Sequence, residues 1–311
     1  MQSPRERILI IKLGAFGDFV QTFGVMRAIR KAHPRAFITL LTTSPFVELA
    51  MSSGYVDECH VDVRPRWYEL KAWADLSRWL NVASFQRVYD LQNNDRTSLY
   101  FKLFHRKPEW VGVAKGASHR NSSPDRIKGH GFDGHIQTMA LANITDIEVD
   151  DLSWMDADLS RFNVEDPYVL LVPGSAPEHV EKRWPAKFYG ELAAGLWSKH
   201  RLRSVLIGTS AEKDVIQEIV RICPEAMDLS GKTQIQDLPA LARNAKAAIG
   251  NDTGPMHVIG PTGVSSLVLF SSVSNPVRHK PLGQNVFVLQ ANSLDDLSVS
   301  QVMDEFCSRL L

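Results

Sequence analysis

The chain begins its ordered pattern with a continuous apolar run, residues 7–12, Arg-Ile-Leu-Ile-Ile-Lys. A run without polar alternation predicts a strand covered on both faces, as in a parallel sheet. The turn Leu13-Gly14-Ala15-Phe16-Gly17-Asp18 follows it. Residues 19–32 then carry Val20, Phe23, Gly24, Met26, Ala28 and Ile29 on apolar faces, with Pro34 just beyond, and predict a helix. A strand is predicted at 36–41, a short helix opening at Ser44-Pro45, and further strands at 88–91 and 110–113. The second half repeats the plan. Its strands are predicted at 168–172, 204–207, 247–250, 266–270 and 285–289, and its helices at 185–198, 211–222 and 235–244. An amphipathic helix, 294–311, closes the chain. Strand–helix alternation of this kind predicts an α/β fold with doubly wound parallel sheets.

A length of 311 residues suits two cores rather than one. Residues 146–167 show weak periodicity and hold five aspartates within 146–158, so the boundary is placed in that stretch. The expected domains are 1–155 and 156–293, with 294–311 as the closing helix. No run of about 18 apolar residues occurs, which argues against a membrane span. The polar N-terminus leads straight into a strand, so no signal peptide is expected. Cys59, Cys223 and Cys307 are far apart in sequence, which points to reduced thiols and a cytoplasmic location.

Net charge is zero, but residues 60–130 hold 13 Lys/Arg against 7 Asp/Glu. Arg64, Arg66, Arg106, Lys107 and Arg120 lie in this segment, with Trp67, Tyr68, Trp73 and Trp79. A basic surface with aromatics fits an anionic partner such as a lipid headgroup or a phosphorylated glycan. The competing reading is a solvated mixed surface with the tryptophans in the core.

The strongest chemical signal is Asn251-Asp252-Thr253-Gly254-Pro255-Met256-His257, which joins a buried strand to a helix. Asp252 or Thr253 suits the N-cap and Pro255 the first turn. Free N–H groups at such a start attract anions, phosphates above all. Lys182 and Arg183 open a helix after Pro173-Gly174-Ser175, and either can meet phosphate or solvent. Glu212, in the loop Gly208-Thr209-Ser210-Ala211-Glu212, can accept ribose hydroxyls or simply favour a helix start. Asp18 can act as a general base or cap its helix. Residues 14–19 do not read Gly-x-Gly-x-x-Gly, so the dinucleotide fingerprint is absent.

Taken in order, these motifs resemble glycosyltransferase family 9, the ADP-heptose:lipopolysaccharide heptosyltransferases, over nearly the whole chain. The resemblance rests on Gly17-Asp18, Pro173-Gly174-Ser175, Lys182-Arg183-Trp184-Pro185, the 208–212 loop, Leu229-Ser230-Gly231-Lys232-Thr233 and the 251–257 segment. It implies a GT-B architecture, two Rossmann-like domains facing a central cleft, with the closing helix crossing back to the N-terminal domain. It implies acceptor binding by the first domain, with Gly14, Gly17, Arg64 and Arg120 as contacts, and Asp18 as catalytic base. It implies donor binding by the second, through Ser175, Lys182, Glu212, Asp252, Thr253, Gly254 and His257, with Met256 near the adenine. The family often has a hydroxyl residue just before the Gly-Asp pair; Gly14, Ala15 and Phe16 stand there in this chain.

The implied reaction is inverting transfer of a heptose or related sugar from an ADP-sugar to a lipopolysaccharide-core or similar lipid-linked glycan. No cofactor or metal and no nucleic acid is expected. Peripheral association with the cytoplasmic face of an anionic inner membrane is expected, through Arg64, Arg66, Arg106 and Lys107. A non-catalytic nucleotide-sugar binder and a nucleotide-sugar epimerase on the same fold are the alternatives.

Overall fold

A computed structural model describes residues 5–165, 167–176 and 178–309. It divides into two units, Met1–Asp150 and Asp151–Leu311. The division falls five residues before the expected 155/156 boundary. The reason is local: Arg243 donates to the carbonyls of Leu152 and Met155 and ties this stretch to the second unit.

The first unit holds a parallel sheet of β1 (Arg7–Ile11), β2 (Phe37–Thr42), β3 (Glu58–Val61), β4 (Arg87–Asp90), β5 (Glu109–Gly112) and β6 (His119–Arg120), ordered β3-β2-β1-β4-β5-β6. β1 is central, and Ile8 to Ile11 are wholly buried, as its unbroken apolar run requires. The second sheet contains β7 (Tyr168–Val172), β8 (Arg203–Leu206), β9 (Met227–Asp228), β10 (Ala247–Asn251), β11 (Ser266–Phe270) and β12 (Val286–Gln290), ordered β12-β11-β10-β7-β8-β9. In each sheet the strand order reverses once, beside β1 and β4 or beside β7 and β10. Ligands of such sheets bind outside the carboxyl ends of the strands at that reversal.

Two expectations change. The helix predicted at 19–32 begins at Phe16 and is interrupted. Helices Phe16–Val20 and Phe23–Ala32 are separated where Thr22 bonds back to the Phe19 carbonyl through both its N–H and its hydroxyl. Segment 148–150 crosses at Gly24, where a Cβ would lie 2.1 Å from the Glu148 carbonyl oxygen. The basic segment also contains helices Leu70–Val82 and Asp95–Leu103, which the apolar pattern did not reveal.

The closing helix, Val299–Arg309, packs on helix Ala186–His200 of its own unit through Val302, Met303 and Phe306. Its buried residues join the cluster containing Leu196 and Trp184. The last two residues of the predicted helix, 310–311, lie outside the described residues. Among the described residues no helix is long and apolar enough to cross a membrane.

Candidate functional site

In the first unit the reversal point is framed by the turns after β1 and β4. The Leu13 N–H donates to Gln92 Oε1 at 2.9 Å and joins the two. Asp90 ends β4 fully buried, and its Oδ1 accepts the N–H groups of Gln92 and Asn93 at 3.1 and 2.9 Å. Gly14 takes φ +128°, a conformation that suits glycine, with Phe46 and the Arg64 guanidinium packed against it. Arg64 also donates to the Leu13 carbonyl. Asp18 stands in the first turn of helix Phe16–Val20, exposed and without a hydrogen bond among the described residues. The cap position belongs to Ala15, so Asp18 is not the helix cap. Arg64 therefore meets the Gly14 turn. Arg120, on β6, lies three strand positions from β1, roughly 14 Å at the usual strand spacing, and its Nε donates to the Val113 carbonyl.

Lys12 directly follows β1, with 4% exposure. Burial lowers its ammonium pKa, opposed by the charges of Asp18 and Asp90. Burial also pushes the Asp90 carboxyl up to about 6. His135 is driven down to about 3 by burial and then by the charges of Lys12, Arg126 and His130. A group that resists a proton when folded, and takes one when unfolded, destabilises the fold as pH drops below its unfolded value of about 6.5. Asp90 acts in the opposite sense between about pH 4 and 6, because the folded state holds its proton more tightly. Comparing the parent with His135→Gln isolates the imidazole. Between about pH 7 and 5 the variant is expected to lose about 2 kcal/mol less stability than the parent in denaturant titrations. Equal losses would remove His135 as the source.

In the second unit a cavity of about 570 Å³ opens beyond β7, β8 and β10. Ser175, Glu212 and Thr253 line it, over an apolar floor that includes Val172, Ile207 and Leu238. Glu212 turns inward: its Oε2 accepts the Thr209 N–H at 2.7 Å, closing a capping box. Its carboxylate lies against Gly174, where a Cβ would come within 1.4 Å of Oε1. Lys182 Nζ donates to Asp252 Oδ2 at 2.7 Å, with Asp252 buried. Their sequence neighbours Arg183 and Thr253 line the cavity. Thr253 is the N-cap of helix Gly254–Ile259, whose six residues make a short dipole.

Other expected donor residues sit elsewhere. Met256 is wholly buried; a Cβ on Gly250 would lie 2.7 Å from its sulfur, so it packs beneath β10 and is not a cavity-lining residue. His257 is buried in the last turn of the same short helix. Arg183, half-buried at the cavity wall, clamps Ser175, with Nε on Oγ at 2.9 Å and Nη2 on the carbonyl at 3.0 Å.

Asn251 is the organiser that residue-by-residue reading passed over. It is fully buried at the end of β10. Its Nδ2 donates to the Pro173 carbonyl at 2.7 Å, and its Oδ1 accepts the Trp184 N–H at 3.1 Å and the Tyr189 hydroxyl at 3.0 Å. One side chain thus joins the loop after β7, the Lys182 segment and the helix behind them. The only signal was its place at the head of the 251–257 motif.

The described geometry has counterparts among known proteins. A family model described as glycosyltransferase family 9 (heptosyltransferase) matches residues 140–304. The chain belongs to glycosyltransferase family 9. A lipopolysaccharide core heptosyltransferase, OpsX of Haemophilus influenzae, is similar to this family 9 chain at 23% identity, over 90% of it and 82% of the relative. The family 9 glycosyltransferase of Veillonella parvula has the same fold, with TM-score 0.80 and 22% identity over 100% of this chain and 98% of the other. The E. coli heptosyltransferase WaaC, solved with ADP, superposes with TM-score 0.75 at 16% identity, over 97% and 99% of the two chains. The family 9 chain is thus a glycosyltransferase built from two Rossmann-like α/β units on the GT-B plan.

Proposed function

We propose that this family 9 chain transfers a heptose, or a related sugar, from an ADP-sugar to a hydroxyl of a lipopolysaccharide-core or similar lipid-linked glycan, with inversion. The observation that carries the donor half is the second-unit cavity at the strand-order reversal. Its apolar floor suits a nucleobase, inward-turned Glu212 offers acceptors to a ribose, and Lys182 offers the cation for a diphosphate. The WaaC structure solved with ADP and the similarity to a lipopolysaccharide core heptosyltransferase support the choice of nucleotide and acceptor class.

In the proposed step Asp18 removes the proton of the acceptor hydroxyl. The oxygen forms a bond to the anomeric carbon while the bond to the diphosphate breaks on the opposite face, and ADP leaves. Lys182 and the N–H groups at Thr253 and Gly254 meet the charge that grows on the diphosphate. Because that helix is short, Lys182 is assigned the larger share. Its pairing with Asp252 holds the ammonium in place before donor arrives. The reaction is proposed to run without a metal, so chelator is expected to leave the rate unchanged.

Calorimetry tests the donor site. ADP is expected to bind more tightly than UDP or GDP, and Lys182→Ala to weaken ADP by about 1–3 kcal/mol. Removing the lysine also leaves the Asp252 carboxylate facing the phosphates. Lys182→Ala with Asp252→Asn is therefore expected to recover part of the loss. Tighter binding of UDP would reject the nucleotide assignment. A product assay with a panel of nucleotide sugars separates transfer from epimerisation and from binding alone.

A further inference from the structure

From the loop after β3 to the first residue of helix Leu70–Val82 the chain exposes four large apolar side chains. Val63 is 73% exposed, Trp67 85%, Tyr68 52% and Leu70 75%. Single exposed apolar residues are ordinary, but a contiguous set marks a contact surface. The loop is held in shape. Arg66 Nη1 donates to the Tyr68 hydroxyl at 2.7 Å, Trp67 lies edge-on to Tyr68, and Trp73 Nε1 donates to the Arg66 carbonyl at 2.9 Å. Pro65 is buried, and Arg96 donates to its carbonyl at 3.2 Å. Around the apolar tip stand exposed Arg64, Arg66 and Lys71 against exposed Glu69, which accepts the Arg66 N–H, and buried Asp62, which accepts the Arg64 N–H at 2.7 Å.

We propose that this loop docks the protein on an anionic lipid bilayer, with Trp67, Tyr68 and Leu70 entering the interfacial zone and Arg66 and Lys71 meeting headgroup phosphates. Tryptophan and tyrosine suit that zone because each has an apolar body and a polar tip. Neighbouring basic side chains add attraction to an anionic leaflet. Charge chooses between occupants: a second copy of the loop would bring like charges together, whereas an anionic surface complements them.

The fold gives the contact a consequence. The loop leaves the carboxyl edge of the first sheet, the edge that carries the 14–18 turn, and Arg64 ties it to the Leu13 carbonyl. Docking therefore presents that sheet edge, with Asp18, to the surface. Arg106 and Lys107 precede β5 and lie at the amino edge of the same parallel sheet. They cannot share a docking surface with Arg64 and Arg66, which corrects the four-residue expectation. Lys107 is moreover turned inward, donating to the Phe101 carbonyl at 2.6 Å.

The test is independent of sugar transfer. The full chain is sedimented with phosphatidylcholine vesicles with and without phosphatidylglycerol. Binding is expected only with phosphatidylglycerol and to weaken at high salt. Trp67→Ser with Leu70→Ser is expected to reduce it about tenfold or more at unchanged melting temperature. Arg106→Ser with Lys107→Ser is expected to leave it unchanged. Lipids with brominated acyl chains are expected to quench the parent and to quench Trp67→Phe much less. Vesicle binding that survives the Trp67/Leu70 change overturns the proposal. So does self-association of the parent that the same change abolishes. A rise in KM for a delipidated glycan, with vesicle binding intact, would reassign the loop to the acceptor.

Discussion

Asp18→Asn is expected to lower turnover about a hundredfold or more while leaving the melting temperature and ADP affinity near those of the parent. The size is that of a positioned general base lost from its reaction. The substitution takes from the fold only a charge that faces buried Lys12, which keeps Asp90 as its second acidic neighbour. Asp18 is exposed, makes no hydrogen bond among the described residues and is not the cap of its helix, so asparagine removes no stabilising contact of that kind. Asp18 belongs to the first unit and the 570 Å³ cavity is lined by residues of the second, so ADP affinity reads the nucleotide site separately from the base. Single-turnover rates with saturating donor would read the chemical step directly. Near-parental turnover would place the base elsewhere, and a parallel fall in ADP affinity would mean that Asp18 acts through donor binding.

Asn251→Leu is expected to destabilise the second unit by about 3 kcal/mol. Leucine shares the branching of asparagine and is the larger of the two, so the change removes hydrogen bonds without opening a cavity, and its extra bulk in a closed site adds to the cost. It strands the buried Trp184 N–H and the Pro173 carbonyl, each left to bear a desolvation cost of about 1–3 kcal/mol. The Tyr189 hydroxyl keeps a weaker alternative, the Val172 carbonyl at 3.4 Å. In a unit of this size the loss corresponds to a fall of about 6–12 °C in the transition. The same variant is expected to weaken ADP binding, because the Pro173–Ser175 loop and the Lys182 segment lose their common anchor. Unfolding at the parental midpoint would show that Asn251 only fills space.

The two results probe different levels of legibility. Asp18 and the 251–257 segment were visible as local chemistry, because turn glycines, a capping residue and an early proline act over a few residues. The central strands β1, β7, β10 and β11 were equally visible. They are covered on both faces, so burial writes an unbroken apolar run. Edge strands β3, β6 and β9 were not, since they are short and only partly covered. Helix Leu70–Val82 was missed because Leu76 and Leu80 alone are fully inside, while Trp73 and Trp79 are only partly covered.

Trp67 shows the limit plainly. By composition it was indistinguishable from Trp79, yet Trp79 stacks on His60 in the fold and Trp67 faces solvent. Side-chain partners were equally hidden. Asn251 reaches Pro173, 78 residues away, and Arg64 reaches Leu13, 51 residues away. Those contacts exist because β10 pairs with β7 and because β3 joins the sheet edge two strands from β1. Periodicity and caps are short-range and so are written in neighbouring residues, and they established the element types, the doubly wound plan and the residues with reactive groups. Strand order is a long-range outcome of packing whole apolar faces, and it alone chose which of those residues meet, which are buried beneath the site and which remain at the surface.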